Sequence, residues 1–110
     1  MNTNTTTAIA ALAALFTANG MDANTANNLA ALNIDLETRL ANGAVTFTFT
    51  KKDGTTRTAV GTNKPTIVPN FYTFKGSTAR ANNAVLAYYD LEKNAFRSFR
   101  KENLVSIAAA

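Results

Sequence analysis

The stretch from Leu86 to Ile107, LAYYDLEKNAFRSFRKENLVSI, decides the fold of this chain. Two aromatic-rich runs flank the short polar turn Glu92–Asn94, and a second polar turn, residues 101–103, leads into the apolar run 104–107. Two strands joined by a tight turn, then a one-turn connector and a short last strand, are typical of the end of a small closed β-barrel.

The period-two pattern of a half-buried strand starts upstream of this stretch, at Ala44. Phe47 and Phe49 alternate there with threonines. Asp53-Gly54 then predicts a hairpin turn, because this pair tolerates the positive φ angles of primed turns, and Gly61 predicts a bulge or bend. The five predicted strands are Ala44–Thr50, Thr56–Thr62, Ala84–Leu91, Ala95–Arg100 and Leu104–Ile107.

Residues 1–43 carry helical patterns rich in Ala and Leu. The predicted helices are Ala8–Phe16, Asn24–Leu32 and Asp35–Asn42. Their predicted N-caps are one of Thr5–Thr7 for the first, Asn24 or Thr25 for the second and Asp35 for the third. Gly20 and Gly43 are expected to end the first and third helices.

The apolar faces of these helices need a surface to pack on. They consist of Ile9, Leu12, Leu15, Phe16, Leu29 and Leu32. Two interpretations remain open: these side chains pack on the chain's own barrel, or they dock on a second copy or another protein.

The composition excludes several classes of site. The 110 residues, enough for one domain, contain no Cys and no His, which rules out disulfides, thiolate zinc sites, cysteine nucleophiles and Ser-His-Asp triads. Each of the seven acidic residues has an adequate structural role at a cap, turn or connector. We therefore expect no enzyme, no metal and no cofactor. The lack of cysteine suits a reducing compartment such as the cytoplasm.

The N-terminal apolar run, residues 8–16, does not resemble a targeting segment. No Lys or Arg precedes Arg39, so the positive region of a signal peptide is missing. The run is also too short to span a bilayer, and we expect no membrane association.

Charge is distributed unevenly along the chain. Residues 1–35 have a net charge of −2 and residues 36–110 a net charge of +6. Such asymmetry favours an anionic partner such as nucleic acid, although a merely solubilising surface explains it equally well. The candidate nucleic-acid-binding residues are Lys51, Lys52, Arg57, Tyr72, Lys75, Arg80, Arg97, Arg100 and Lys101.

Two aromatic features bear on this hypothesis. In the long connection of residues 63–83, Phe71, Tyr72 and Phe74 are either a clasp for a strand or peptide, or a lid on the barrel. If Phe96 belongs to the core, Arg97 faces solvent, and Phe99 is then either a core residue after a bulge or an exposed stacking platform. The core position is favoured for Phe99.

Five strands, with the long connection after the second, match the SH3-like barrel order. VTFTFTKKDGTTRTAVGT, Val45–Thr62, and YYDLEKNAFRSFRKENLVSI, Tyr88–Ile107, resemble the small WYL-like family with an Sm-like SH3 β-barrel, found mostly in bacteriophages and Bacteroides-type bacteria. The resemblance implies kinship with WYL domains, which bind nucleic acid or small ligands. In place of Trp-Tyr-Leu this chain has Tyr88–Leu91, YYDL.

We therefore predict an α+β protein with short helices in residues 1–43 and a five-stranded SH3/Sm-like barrel in residues 44–110. The first functional hypothesis is a non-enzymatic module that contacts nucleic acid through the basic barrel face and the 63–83 loop. The alternative is a phage-encoded structural or interaction protein, located in the host cytoplasm or the virion, that oligomerises or docks through its helices. A small-ligand sensor is a third, by analogy with WYL domains.

Overall fold

The computed structural model describes residues 3–68 and 84–108. Two helices, α1 (Thr3–Ala18) and α2 (Ala23–Asn42), precede five strands: β1 (Val45–Thr50), β2 (Thr56–Thr62), β3 (Val85–Asp90), β4 (Ala95–Arg100) and β5 (Leu104–Ile107). A single 3-10 turn, Lys101–Asn103, joins β4 to β5. This architecture confirms the predicted α+β class.

The second helix is one continuous element, so the predicted break between residues 32 and 35 is wrong. Asn33 is fully buried, and its Nδ2 donates to the carbonyls of Leu29 (3.0 Å) and Lys101 (2.9 Å). Asp35 does not cap a new helix but forms an i,i+4 ion pair with Arg39 at 3.0 Å. A buried polar side chain that finds partners is compatible with an uninterrupted helix.

The helix starts also differ from the sequence-based expectation. Helix α1 begins at Thr3, so Thr5–Thr7 lie inside it, and α2 is capped by Asp22, whose carboxylate accepts from Thr25 N at 3.3 Å. The prediction for Gly20 is confirmed, since its φ of 99° is the left-handed conformation that ends a helix.

The first hairpin forms as predicted. Asp53 Oδ1 accepts from Thr55 N at 3.0 Å and Gly54 has a φ of 89°, which together close the turn. Pairing of β1 with β2 runs without a break from Val45↔Gly61 to Thr50↔Thr56, so of the bulge or bend predicted at Gly61, no bulge forms on the β1 side of β2. The register shift of β1 lies instead on its β5 side, between Thr48 and Phe49.

The antiparallel sheet has the order β4-β3-β2-β1-β5 and curls strongly. The rings of Phe49 on β1 and Phe99 on β4 stack with centroids 4.8 Å apart. In a flat sheet these strands would be about 14 Å apart, because two strands lie between them at a spacing of about 4.8 Å. The contact therefore shows a sheet that closes over its own core, as the barrel prediction requires.

One core joins the sheet to α2. Leu36 and Leu40 of α2 are fully buried with Phe47 and Tyr88 of the sheet. A second cluster packs Leu12 and Phe16 of α1 on the small residues of α2. Within the described segments, no helix is long and apolar enough to cross a membrane.

Candidate nucleic-acid interface

Strand alternation places two arginines on the concave, core-facing side of the sheet. Arg57 shares its side of β2 with Ala59 and Gly61, which are buried. Arg97 shares its side of β4 with the buried Phe99. Each arginine therefore belongs to the inward-facing row of residues on its strand.

The strand register pairs each arginine with an aromatic neighbour. Arg57 is directly opposite Phe49, and Arg97 is directly opposite Tyr88. Directly opposite side chains on one face of a sheet are in contact distance. The aromatic core thus continues into a cationic opening.

These residues line a groove of about 340 Å³, which we call the cationic groove. It runs from the end of β1 across β2 and β3 to β4 and the connector. Its lining consists of Phe49, Thr50, Lys51, Lys52, Arg57, Tyr88, Arg97, Ser98, Phe99, Arg100 and Asn103. Five of these residues are cationic and none is acidic, although all seven acidic residues of the chain lie in the described segments.

Three of the five groove cations are not neutralised by a carboxylate of the described segments. Lys51, Lys52 and Arg97 are exposed and form no ion pair with any carboxylate of the described segments. Arg100 pairs with Glu102 at 3.2 Å, but both side chains are exposed and the pair is weak in water. The groove is therefore an anion-attracting surface.

Arg57 differs because it is fixed by a buried partner. Its guanidinium is 2.5 Å from Oδ2 of Asp90, a fully buried residue, while Asp90 Oδ1 accepts from the backbone amides of Glu92 (2.9 Å) and Lys93 (3.0 Å). Burial by itself raises the pKa of Asp90. The two amides and Arg57 outweigh it, so the pKa lies below the ordinary 3.8. Asp90 therefore stays ionised and holds Arg57 at the groove.

The structure brings together five of the predicted binding residues: Lys51, Lys52, Arg57, Arg97 and Arg100. It does not bring Lys101 to them, because that side chain is largely buried on the helical side and pairs with Glu37 of α2 at 3.2 Å. Tyr72, Lys75 and Arg80, with Phe71 and Phe74, lie outside the described residues.

Of the arrangements considered for β4, the one with Phe96 in the core does not hold, whereas the core position favoured for Phe99 does. Phe96 is half-buried on the outer face, where its ring meets Tyr89 edge-on at 5.1 Å, and Arg97 follows the inward row. Phe99 is buried in the core, so it is not a stacking platform. No bulge is needed, since β3 and β4 pair without a break from Val85↔Arg100 to Asp90↔Ala95.

Sequence reasoning did not assign five of the groove residues to a binding site: Phe49, Thr50, Tyr88, Ser98 and Asn103. The alternation of β3 could have placed Tyr88 beside Leu86 and Asp90 on the inward face. Nothing in the local sequence around Ser98 or Asn103 distinguishes either residue from an ordinary surface position.

The helical residues considered for a partner lie mostly inside the molecule. Leu12 and Phe16 are buried, and Ile9, Leu15, Leu29 and Leu32 pack against the two core clusters. Residues 3–68 and 84–108 contain no group of acidic residues able to hold a metal ion.

Comparison with known proteins relates this barrel to a described protein family. A family described as WYL_2, Sm-like SH3 beta-barrel fold, matches residues 33–105. The chain belongs to this family. It is also similar to the uncharacterized 11.5 kDa protein in the Gp31-cd intergenic region of Enterobacteria phage T4, with 34% identity over 74 residues, which is 66% of this chain and 72% of the phage protein. No solved structure matches the chain significantly.

The family match confirms the resemblance to a WYL-like Sm/SH3 barrel, and the phage relative supports the predicted phage connection. The match begins at residue 33, inside α2, and therefore includes Leu36 and Leu40, the helical residues that pack into the barrel. Every residue that lines the cationic groove also lies within the matched segment.

Proposed function

We propose that this protein is a non-enzymatic module that binds nucleic acid along its phosphate backbone in the cationic groove. The observation that carries the proposal is the convergence of five cations, from strands β2 and β4 and the β1–β2 turn, on one opening with no acidic lining residue. Phosphate pairing of this kind supplies most of the affinity of sequence-independent nucleic-acid binding.

The groove favours the backbone over the bases as the contact. Its aromatic residues, Phe49, Tyr88 and Phe99, are buried in the core, whereas its cations stand at the rim. Base stacking needs an exposed ring face, but phosphate pairing needs only reachable charge. We therefore propose little sequence preference in the part of the interface formed by the groove.

The alternative, docking through the helices, receives less support. The side chains that it would use are mainly occupied by contacts between α1, α2 and the sheet. The groove, in contrast, holds three cations, Lys51, Lys52 and Arg97, that form no ion pair within residues 3–68 and 84–108.

The test is the affinity for a short fluorescent single-stranded DNA and its RNA counterpart, measured by anisotropy at two salt concentrations. If all five cations contact phosphates, affinity should fall about 100-fold between roughly 50 and 200 mM salt, since each contact contributes about 0.7 to the logarithmic slope. Absence of binding at the lower salt would refute the proposal.

A charge-matched pair of triple variants locates the interface. Replacing Lys51, Lys52 and Arg97 with Gln should reduce the salt slope by about two, because three phosphate contacts are lost. The control replaces Arg39, Lys64 and Lys93 with Gln; none of the three lines the groove, so this variant should change the slope little. Equal losses in both variants would mean that only net charge matters.

A further inference from the structure

The hydroxyl of Tyr88 is a buried polar group without a partner. Tyr88 is fully buried, its ring meets Phe47 edge-on at 5.0 Å, and its oxygen has no hydrogen-bond partner within the described segments. Buried tyrosine hydroxyls normally bind something, and an unsatisfied one in a native protein indicates a missing water, ion or ligand.

The Tyr88 side chain belongs to the cationic groove. Tyr88 is a groove-lining residue, and Arg97 lies directly opposite it across the β3–β4 pair. Burial raises the pKa of the Tyr88 hydroxyl above its ordinary 10.0, the charges of Asp90 and Glu92 raise it further, and the charges of Arg57 and Arg97 oppose the shift only in part. The hydroxyl is therefore protonated at neutral pH and available as a donor.

The hydrogen-bond donors at Tyr88, Arg57 and Arg97 determine which kind of ligand this part of the groove can bind. A neutral O–H and two guanidinium groups suit an anion with several oxygens and repel a cation. Asp90, one of the two carboxylates whose charge acts on this hydroxyl, already accepts from Arg57 and two backbone amides. It is therefore not available as a ligand for a metal ion.

We propose that the inner end of the cationic groove seats one phosphate group, with the Tyr88 hydroxyl donating to one phosphate oxygen and Arg57 and Arg97 pairing with the others. This phosphate seat rests on the proposed function. Its three residues would hold the bound strand in register. The Tyr88 oxygen has less than 1 Å² of exposed surface, so in this proposal side chains that line the groove move to admit the phosphate.

The test is Tyr88→Phe, which removes one oxygen and keeps the ring in the core. Affinity for a single-stranded DNA should fall about tenfold, the effect of losing a hydrogen bond to a charged group. The salt slope should not change, because no charge is removed. Tyr89→Phe is the matched control, since Tyr89 lies on the outer face and does not line the groove.

Comparing strands with and without a 5′-phosphate shows whether the seat binds an internal phosphodiester or a terminal phosphate. If the seat holds an internal phosphodiester, Tyr88→Phe weakens binding of 5′-phosphorylated and 5′-hydroxyl strands equally. If it holds a terminal phosphate, only the phosphorylated strand is affected. Unchanged affinity of Tyr88→Phe for both strands, with binding by the wild type intact, would overturn the seat and leave the proposed function standing.

The seat is testable even if the proposed function fails. Should the wild type bind no oligonucleotide, titration with inorganic phosphate followed by NMR decides the matter. Shifts at Arg57, Tyr88 and Arg97 that disappear in Tyr88→Phe would support the seat. Their absence would overturn it.

Discussion

Gly61 lies so close to the ring of Tyr88 that a Cβ atom at residue 61 would be 2.5 Å from Tyr88 Cδ2. The β2 backbone therefore forms one wall of the pocket that holds this ring. Because the ring is fully buried and β2 is held by β1 on one side and β3 on the other, neither partner has room to retreat.

Replacing Gly61 with Ala should lower the free energy of unfolding by about 2 kcal/mol, the usual effect of overpacking a core. Urea denaturation measures it. Gly43→Ala is the control, because a Cβ there meets nothing within 4 Å and its backbone is extended, and it should change stability by less than about 0.5 kcal/mol. Equal stability of the two variants would contradict this account.

Asp90→Asn should destabilise the fold by about 2 kcal/mol at neutral pH, since Arg57 loses a charged hydrogen-bond partner. Asp35→Asn removes the exposed pair with Arg39 and should change stability by less than about 1 kcal/mol. Urea denaturation of both variants tests the difference. A larger loss for Asp35→Asn would show that burial of the Asp90 pair is not the deciding factor.

The lowered pKa of Asp90 also predicts acid sensitivity. Its contribution to stability is complete above the unfolded-state pKa of 3.8 and is lost as the pH falls through the lower folded-state pKa. Unfolding free energies of the wild type and Asp90→Asn should therefore converge as the pH approaches the folded-state value. A constant difference down to strongly acidic pH would disprove the linkage.

Tyr88→Phe should be at least as stable as the wild type at neutral pH, because it removes a buried hydroxyl that has no partner. Since burial raises the pKa of Tyr88, the wild type loses stability as the pH rises above about 10, where the unfolded chain ionises first. Tyr88→Phe should lose less stability over the same pH range, and an equal loss in both proteins would contradict this account. Thermal unfolding at neutral and alkaline pH measures both effects.

Asn33→Ala should cost about 2 kcal/mol, because it leaves the Lys101 carbonyl without its buried donor. Asn42→Ala is the matched control: Asn42 also bonds a carbonyl four residues back, but it is exposed. Its replacement should have an effect below about 0.5 kcal/mol. Similar losses in both variants would show that the contact between α2 and the connector is not stabilising.

The strands were predictable because their signals are local. The alternation of Phe47 and Phe49 with threonines gave β1, and Asp53-Gly54 gave the turn. Strands β2, β4 and β5 have the predicted bounds. Helix boundaries were less predictable. Helix α2 continues through the buried Asn33, whose side chain is satisfied by the Lys101 carbonyl, 68 residues away in the chain.

For the candidate site, too, local sequence signals and contacts between distant segments determined different features. The sequence alone identified the basic half of the chain and the side chains able to meet an anion, because charge and residue type are properties of the residues themselves. Only the tertiary structure decided which of them meet. Closure of the sheet brings β4 to the end of β1, gathers Arg97 with Lys51 and Lys52, and turns Lys101 toward Glu37. It also buries Phe99 and leaves the Tyr88 hydroxyl without a partner, because strand direction and curvature arise from pairings between distant segments.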